Sequence, residues 1–202
     1  MNTKVFQFFQ QNYSPGRICL VGMSDLLYQL IRMGQSGLTP DGKPSRWSHS
    51  FLMGENRSGT IHIFESDIYM SLKRFQFVNG PQESKLSKWC KDTVDSACVL
   101  GMDLTPAEQD TILSKAREIC YDERYLYPVG ELLGTLWAIL TKTLHKKNIF
   151  DDKYAVQCAT FVRMCYQGIS KDPLDGAMQH LTNTSPEKIF QSNRFTFRQV
   201  MT

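Results

Sequence analysis

Tyr154-Ala-Val-Gln-Cys-Ala-Thr-Phe-Val-Arg-Met-Cys-Tyr-Gln-Gly168 reads as a short extended run that turns into a helix at Cys158. The residues that follow suit a helix buried over much of its surface. Phe161, Val162, Met164, Cys165 and Tyr166 are apolar, and only Thr160, Arg163 and Gln167 give polar contrast. Gly168 is a natural stop, because glycine accepts the left-handed conformation that closes many helices. Cys158 then falls in the first turn, where unpaired N–H groups and the helix dipole favour a negative charge and hence a thiolate. A cysteine so placed is a candidate nucleophile if a histidine reaches it. From this stretch alone the core is the favoured reading, because free cysteine is among the most buried residue types. Cys165 lies deeper in the helix, without free N–H groups beside it, and reads as core.

Working outward, the bulk properties exclude several classes. A chain of 202 residues fits one domain, residues 1–202, able to bury a real core. With 42% hydrophobic and 21% charged residues, extensive disorder is not expected. A net charge of +3, with no basic stripe interleaved with aromatics, gives no argument for nucleic acid. The six cysteines contain no Cys-x-x-Cys pair, and the four histidines complete no zinc spacing. Reduced thiols are the expectation, and no metal or organic cofactor is implied. The N-terminus has no signal-peptide h-region. The longest apolar run, Leu132 to Leu140, is too short for a membrane span. The expectation is a soluble, cytoplasmic protein, although a chain trimmed of a leader would look the same.

Upstream, residues 3–11 read as a short helix, Tyr13–Gly16 as a turn and Arg17–Val21 as a strand. Ser24 is a candidate cap for a helix to Met33, with Leu26, Leu27, Leu30 and Ile31 as its apolar stripe. Residues 34–46 are a loop by composition, long enough to border a site. Trp47–Met53 and Thr60–Glu65 read as strands joined by a turn over Gly54–Gly59, that is, a β-hairpin. Leu72–Val78 and Ala97–Met102 are further strands, with a polar segment between them anchored by Trp89. Thr105-Pro-Ala-Glu108 is a capping box with proline at the first helical position, opening a helix to about Cys120. Ile112, Leu113, Ala116 and Ile119 share its inner face. Val129–Leu144 reads as a very apolar helix, Pro186 as the start of a short one, and Arg194–Val200 as a last strand.

A thiol nucleophile needs a base, and the base needs an orienting partner. The hairpin supplies both. In an antiparallel pair the start of one strand lies beside the end of the other, so His49 and Glu65 are candidate neighbours. His62 competes with Glu65 for the orienting role. The two are three residues apart, side chains alternate along a strand, and only one of them can face His49. The segment alone does not say which.

Taken in order, these motifs resemble the permuted papain-like cysteine hydrolases of the YiiX/YaeF type, relatives of NlpC-type peptidases. The family's opening Gly-Asp-Ile-Leu-Leu-Val-like strand and Ser…Ile helix are matched by Gly16-Arg-Ile-Cys-Leu-Val21, Ser24 and Ile31. Its Trp-Ser-His-Val-like motif is matched by Trp47-Ser-His-Ser-Phe-Leu-Met-Gly54, and its Val-Ile-Glu-Ala-like strand by Ile61-His-Ile-Phe-Glu-Ser66. The Leu-Thr-x-x-Glu helix corresponds to Leu104–Glu108, the Tyr-Asp…Leu-Leu-Gly segment to Tyr121–Gly134 and the cysteine helix to Cys158-Ala-Thr-Phe-Val162. Thr184-Ser-Pro…Ser192-Asn-Arg-Phe195 is similar to the closing motif. The chain departs from the pattern at Arg17, where the family has an acid. It also carries Ala159 for the serine after the cysteine, Val156 for an aromatic, and Ser50 for a small apolar residue after the histidine.

The resemblance implies an α+β fold: a circularly permuted papain-like domain with a small antiparallel sheet packed against helices. It implies Cys158 as nucleophile, His49 as general base, Glu65 as orienter and the Cys158 N–H as an oxyanion donor. The implied activity is cysteine peptidase or amidase chemistry on a peptide, isopeptide or peptidoglycan fragment. A lipid-directed acyltransferase or thioesterase, as in the related lecithin:retinol acyltransferase-like proteins, is the alternative within enzymes, with Leu132–Leu140 suiting an acyl chain. A catalytically idle binding domain is the alternative outside them.

Overall fold

The structure, a computed structural model, describes residues 1–71, 76–122, 157–174 and 184–201. The predicted helix Val129–Leu144, the extended run before Gln157 and residues 72–75 of the predicted strand Leu72–Val78 lie outside the described residues.

Six antiparallel strands form one sheet: β1 (Ile18–Met23), β2 (His49–Arg57), β3 (Thr60–Ser71), β4 (Gln76–Lys85), β5 (Val94–Gly101) and β6 (Phe197–Val200), in the order β4-β3-β2-β1-β5-β6. With its helices this is an α+β fold. Both faces are covered. On one side Cys19, Val21, Phe51, Met53, Ile63 and Val99 pack with Val5 and Phe9 of α1 (Thr3–Gln11) and with Trp89. On the other, Ile18, Leu20, Leu52, Phe64, Cys98 and Leu100 meet α3 (Pro106–Tyr121), α4 (Cys158–Cys165) and Ile189 of α5 (Pro186–Gln191). Central β1 is buried along its whole length, which is why it reads as an unbroken apolar run rather than an alternating one. Among the described residues no helix is long and apolar enough to cross a membrane.

Local signals decide several of these elements. The capping box at Thr105 and Glu108 forms as predicted, with Pro106 at the helix start and Ile112, Leu113, Ala116 and Ile119 buried. Gly16 sits at φ +82°, as the predicted turn requires. All six cysteines are free thiols.

Other readings need correction. Ser24 does not cap α2 (Leu26–Gly34). Its N–H and hydroxyl both donate to the Thr93 carbonyl, tying the end of β1 toward β5, and Asp25 becomes the N-cap. The stripe on α2 is helical in period, yet none of its residues is buried, and Leu26 stays 75% exposed. The polar stretch after Val78 is strand: β4 runs on to Lys85 at the sheet's edge, where one side faces no neighbour and polar residues and Pro81 are tolerated. Thr160 and Arg163 are not a polar face. Both are buried, and the Arg163 guanidinium grips Asp172 at two points, 3.0 Å each.

Candidate active site

The predicted turn over Gly54–Gly59 is shorter than its composition implied. β2 continues to Arg57, and the reversal is the two residues Ser58 and Gly59, both at positive φ. This pairing of positive φ values matches the right-handed twist of the flanking strands. A regular ladder from that turn, where Arg57 faces Thr60, would put His62 on the same face as His49. The ladder is not regular. Asn56 faces Ile61 but Met53 faces Ile63, so Gly54 and Glu55 together oppose His62 alone. This bulge shifts the register by one residue and exchanges the faces. Gly54 permits it: a Cβ there would stand 2.9 Å from the Phe64 ring and 3.0 Å from the His62 carbonyl oxygen.

Below the bulge, Glu65 and Asp67 share the face of His49. His49 Nε2 lies 3.1 Å from Glu65 Oε2, with both side chains buried. His62 turns away, its Nδ1 3.2 Å from the Thr60 carbonyl oxygen. Of the two candidates, it is Glu65 that stands beside His49.

The chain entering β2 is pinned. Gln35 donates to the Trp47 carbonyl, and the Ser48 N–H and hydroxyl donate to the Val21 carbonyl. Gly22 of β1 makes room for this approach, since a Cβ there would overlap the Arg46 carbonyl oxygen. His49 therefore enters the site from a backbone fixed on both sides.

Three residues around Glu65 were not singled out as site residues in the sequence. Trp89 Nε1 donates to Glu65 Oε2 at 2.7 Å, and its ring stacks on His49 with centroids 4.2 Å apart. Lys88 Nζ bridges Glu65 Oε1 at 2.6 Å and Asp67 Oδ2 at 2.8 Å. Trp89 and Lys88 come from the turn Leu86–Trp89, more than twenty residues along the chain. Trp89 had shown only as the large anchor of a polar stretch. Asp67 lay two residues beyond Glu65, a same-face spacing that would have found it once the register was known.

Cys158 is the first residue of α4, and Gln157 supplies no side-chain cap. The N–H groups of such a first turn have no intrahelical partner. The thiol lies close enough to the His49 ring, and to the backbone N–H and hydroxyl of Ser50, for all three to act on its charge. With Nε2 committed to Glu65, Nδ1 is the nitrogen left for sulfur.

The charges follow from these contacts. Burial alone raises the Cys158 pKa, but the His49 cation, its hydrogen bond and the Ser50 donors outweigh burial and bring the pKa below its ordinary value. Burial works against the imidazolium as well. The Cys158 charge and hydrogen bond, with Glu65 and Asp67 behind them, nevertheless raise His49 to about 10. Glu65 is held down at about 2 despite complete burial, by its bonds to His49 and Lys88. The favoured state is a thiolate–imidazolium pair backed by a carboxylate. Burial pushes the other five thiols up: Cys90 to about 11, Cys98 and Cys120 to about 12, and Cys19 and Cys165 well above the ordinary value.

The predicted loop forms one wall of a cavity of about 540 Å³, lined by Pro40, Lys43, Pro44, Trp47, Glu187 and Phe190; Cys158, His49 and Glu65 are not among its lining residues. Trp47 and Phe190 face each other with rings 4.9 Å apart. Among the described residues no group of three or more His, Cys, Asp or Glu side chains is placed to hold a metal ion.

No family model matches the chain, and no characterised protein matches it in sequence.

Proposed function

We propose that this chain is a cysteine hydrolase with a circularly permuted papain-like arrangement, cleaving an amide bond through an acyl-enzyme on Cys158. The observation that carries the reading is the chain Cys158–His49–Glu65: a buried thiol at a helix start, an imidazole close enough to favour its thiolate, and a buried carboxylate 3.1 Å from Nε2 of that ring. A thiol, an imidazole and a carboxylate in this order are the groups that thiol catalysis uses, which supports the reading.

In this reading the Cys158 thiolate attacks the carbonyl carbon, forming a C–S bond while the carbonyl π electrons move to oxygen. The Cys158 N–H, at the head of α4 where N–H groups have no intrahelical partner, is the donor for that oxyanion. His49 then gives its Nδ1 proton to the departing amine as the C–N bond breaks and the thioester forms. Neutral His49 next removes a proton from water, and hydroxide displaces the thiolate, releasing a carboxylic acid and restoring the ion pair. Glu65 fixes the ring by accepting from Nε2–H throughout, and Trp89 holds both ring and acid in place.

The fold supports the permuted reading by chain order, since His49 and Glu65 precede the cysteine helix. The substrate class is a peptide, isopeptide or peptidoglycan fragment. The segment that motivated a lipid substrate, Leu132 to Leu140, lies outside the described residues.

The test is competitive labelling with a thiol-directed electrophile, read peptide by peptide, followed by trapping of the acyl-enzyme. Cys158 is expected to react well ahead of Cys120, the most accessible of the others. Incubation with peptidoglycan fragments, isopeptides and acyl lipids then adds the mass of one acyl group to the Cys158 peptide for the true class. Equal labelling of Cys158, Cys98 and Cys120 would refute the activated thiol. Acyl transfer from lipids alone would replace the amidase by the lipid-directed alternative.

A further inference from the structure

We propose that Ser50 is a positioning residue for the nucleophile: its hydroxyl donates a hydrogen bond to Sγ of Cys158 when the sulfur is a thiolate. The inference rests on the thiol-hydrolase reading above and adds a residue that the triad does not contain.

Ser50 follows His49 on β2 and is fully buried. Its Oγ is shielded from solvent and has no protein hydrogen-bond partner of good geometry. A buried hydroxyl left unmatched is costly, so such an atom calls for an explanation. Strand alternation supplies part of it. Ser50 shares its face with Leu52, which packs in the core holding Cys158, whereas Phe51 packs on the other side. The hydroxyl therefore points toward α4.

The ladder supplies the rest. Pairing between β2 and β3 starts at Leu52 and Phe64, one residue past the level of Phe51, so the strands have parted at Ser50. Helix α4 packs against both β2 and β3, and the Ser50 N–H and hydroxyl are close enough to Cys158 to act on its charge. A neutral thiol is a weak acceptor and gives the hydroxyl little to bind. A thiolate is a charged acceptor, and hydrogen bonds to charged groups are the strong ones. The bond is thus strong in one protonation state only, and that difference favours the thiolate. The backbone N–H of Ser50 acts in the same sense but cannot be removed by a side-chain change. The Ser50→Ala variant isolates the hydroxyl.

The experiment is the pH dependence of Cys158 alkylation by iodoacetamide, read by peptide mass spectrometry, in the wild type, Ser50→Ala, and the near-isosteric pair Ser50→Thr and Ser50→Val. Losing one charge-assisted hydrogen bond is expected to move the acid limb up by about one pH unit in Ser50→Ala. The alkaline limb, set by His49, should stay in place. Ser50→Thr should keep the wild-type limb and Ser50→Val should shift like Ser50→Ala, which separates the hydroxyl from packing and serves alone if Ser50→Ala does not fold. Superimposable profiles for the wild type and Ser50→Ala, or for the Thr and Val variants, would overturn the proposal. A wild-type Cys158 that titrates like an ordinary thiol would overturn the hydrolase reading with it. A low acid limb in the wild type that survives loss of the hydroxyl would overturn the Ser50 inference alone.

Discussion

Cys158 and Cys165 are the first and last residues of α4, both buried, on one short helix. Their thiols nevertheless move in opposite directions, Cys158 below the ordinary value and Cys165 well above it. Burial is the first cause at both sites and acts in the same sense at both. What differs is the company. Cys158 has a histidine, two donors from Ser50 and the open end of a helix. Cys165 has the thiol of Cys120 as its strongest neighbour. A low-dielectric interior magnifies the interaction with whatever charge is already there, so the neighbours overturn the effect of burial at Cys158 and leave it standing at Cys165.

The comparison breaks most sharply at the sulfur atoms themselves. Cys158→Ala should remove turnover by about 10⁴-fold or more, the scale seen when a nucleophile acting in a unit is lost. Cys165→Ala should leave the rate intact and lower stability by about 1 kcal/mol, the ordinary cost of a small void in a core. Paired kinetics and thermal melts check both; loss of activity in Cys165→Ala would sink the contrast.

His49→Ala should make Cys158 resemble Cys165. The rate is expected to fall by about 10² to 10⁴, the share usual for a general acid–base, and electrophile labelling of Cys158 at neutral pH should drop toward that of Cys120. Unchanged labelling would show that the helix end alone forms the thiolate.

One step further out, Glu65→Gln should cost about 10- to 100-fold, the worth of one charge-assisted hydrogen bond. His62→Ala should cost nothing measurable. Steady-state rates of the two variants, side by side, test the face assignment made by the bulge.

The smallest effect is on stability against pH. Above about 9 an unfolded chain has lost the protons of both Cys158 and His49, whereas the folded pair keeps one until His49 titrates near 10. Folded protein then binds more protons, and stability falls as pH rises, by about 1.4 kcal/mol per unit. The lowered Cys158 thiol acts in the opposite sense: the stability it contributes is present above the ordinary thiol value and is lost as pH falls through the folded Cys158 pKa. Melting temperatures across pH 6 to 10 should show the wild type losing stability above about 9, a fall that Cys158→Ala changes; identical pH curves would rule out the ion pair.

Much of this site was legible in the sequence because its signals are local. A cysteine ahead of an apolar helix, a proline and capping box at Thr105–Glu108, and a histidine near a hairpin's start are patterns a few residues long. What could not be read depends on counting across space. The bulge at Gly54 and Glu55 costs one residue of register, and only the three-dimensional ladder shows where that residue is spent. Lys88 and Trp89 reach Glu65 across the sheet edge from a turn distant in sequence, and nothing in a polar stretch announces a buried partner. The apolar stripe of α2 reads as a core face by period alone, yet period says which residues share a side, not what lies against it. Arg163 misled in the opposite sense: buried arginine is rare enough that its pairing with Asp172 had to be seen.

The bulge also bears on how such an arrangement is to be recognised in other chains. His49 and Glu65 are sixteen positions apart here, but that interval is not what the chemistry needs. A hairpin lacking one residue of the Gly54–Glu55 pair would close on the same turn, restore a regular ladder and present the same two side chains to each other at an interval of fifteen. A fixed-spacing pattern would treat the two as unrelated, and it would accept a bulge-free hairpin of the present length, in which the acid faces the wrong way. What is preserved is parity: whether histidine and carboxylate fall on the same side once each irregularity between them has been counted.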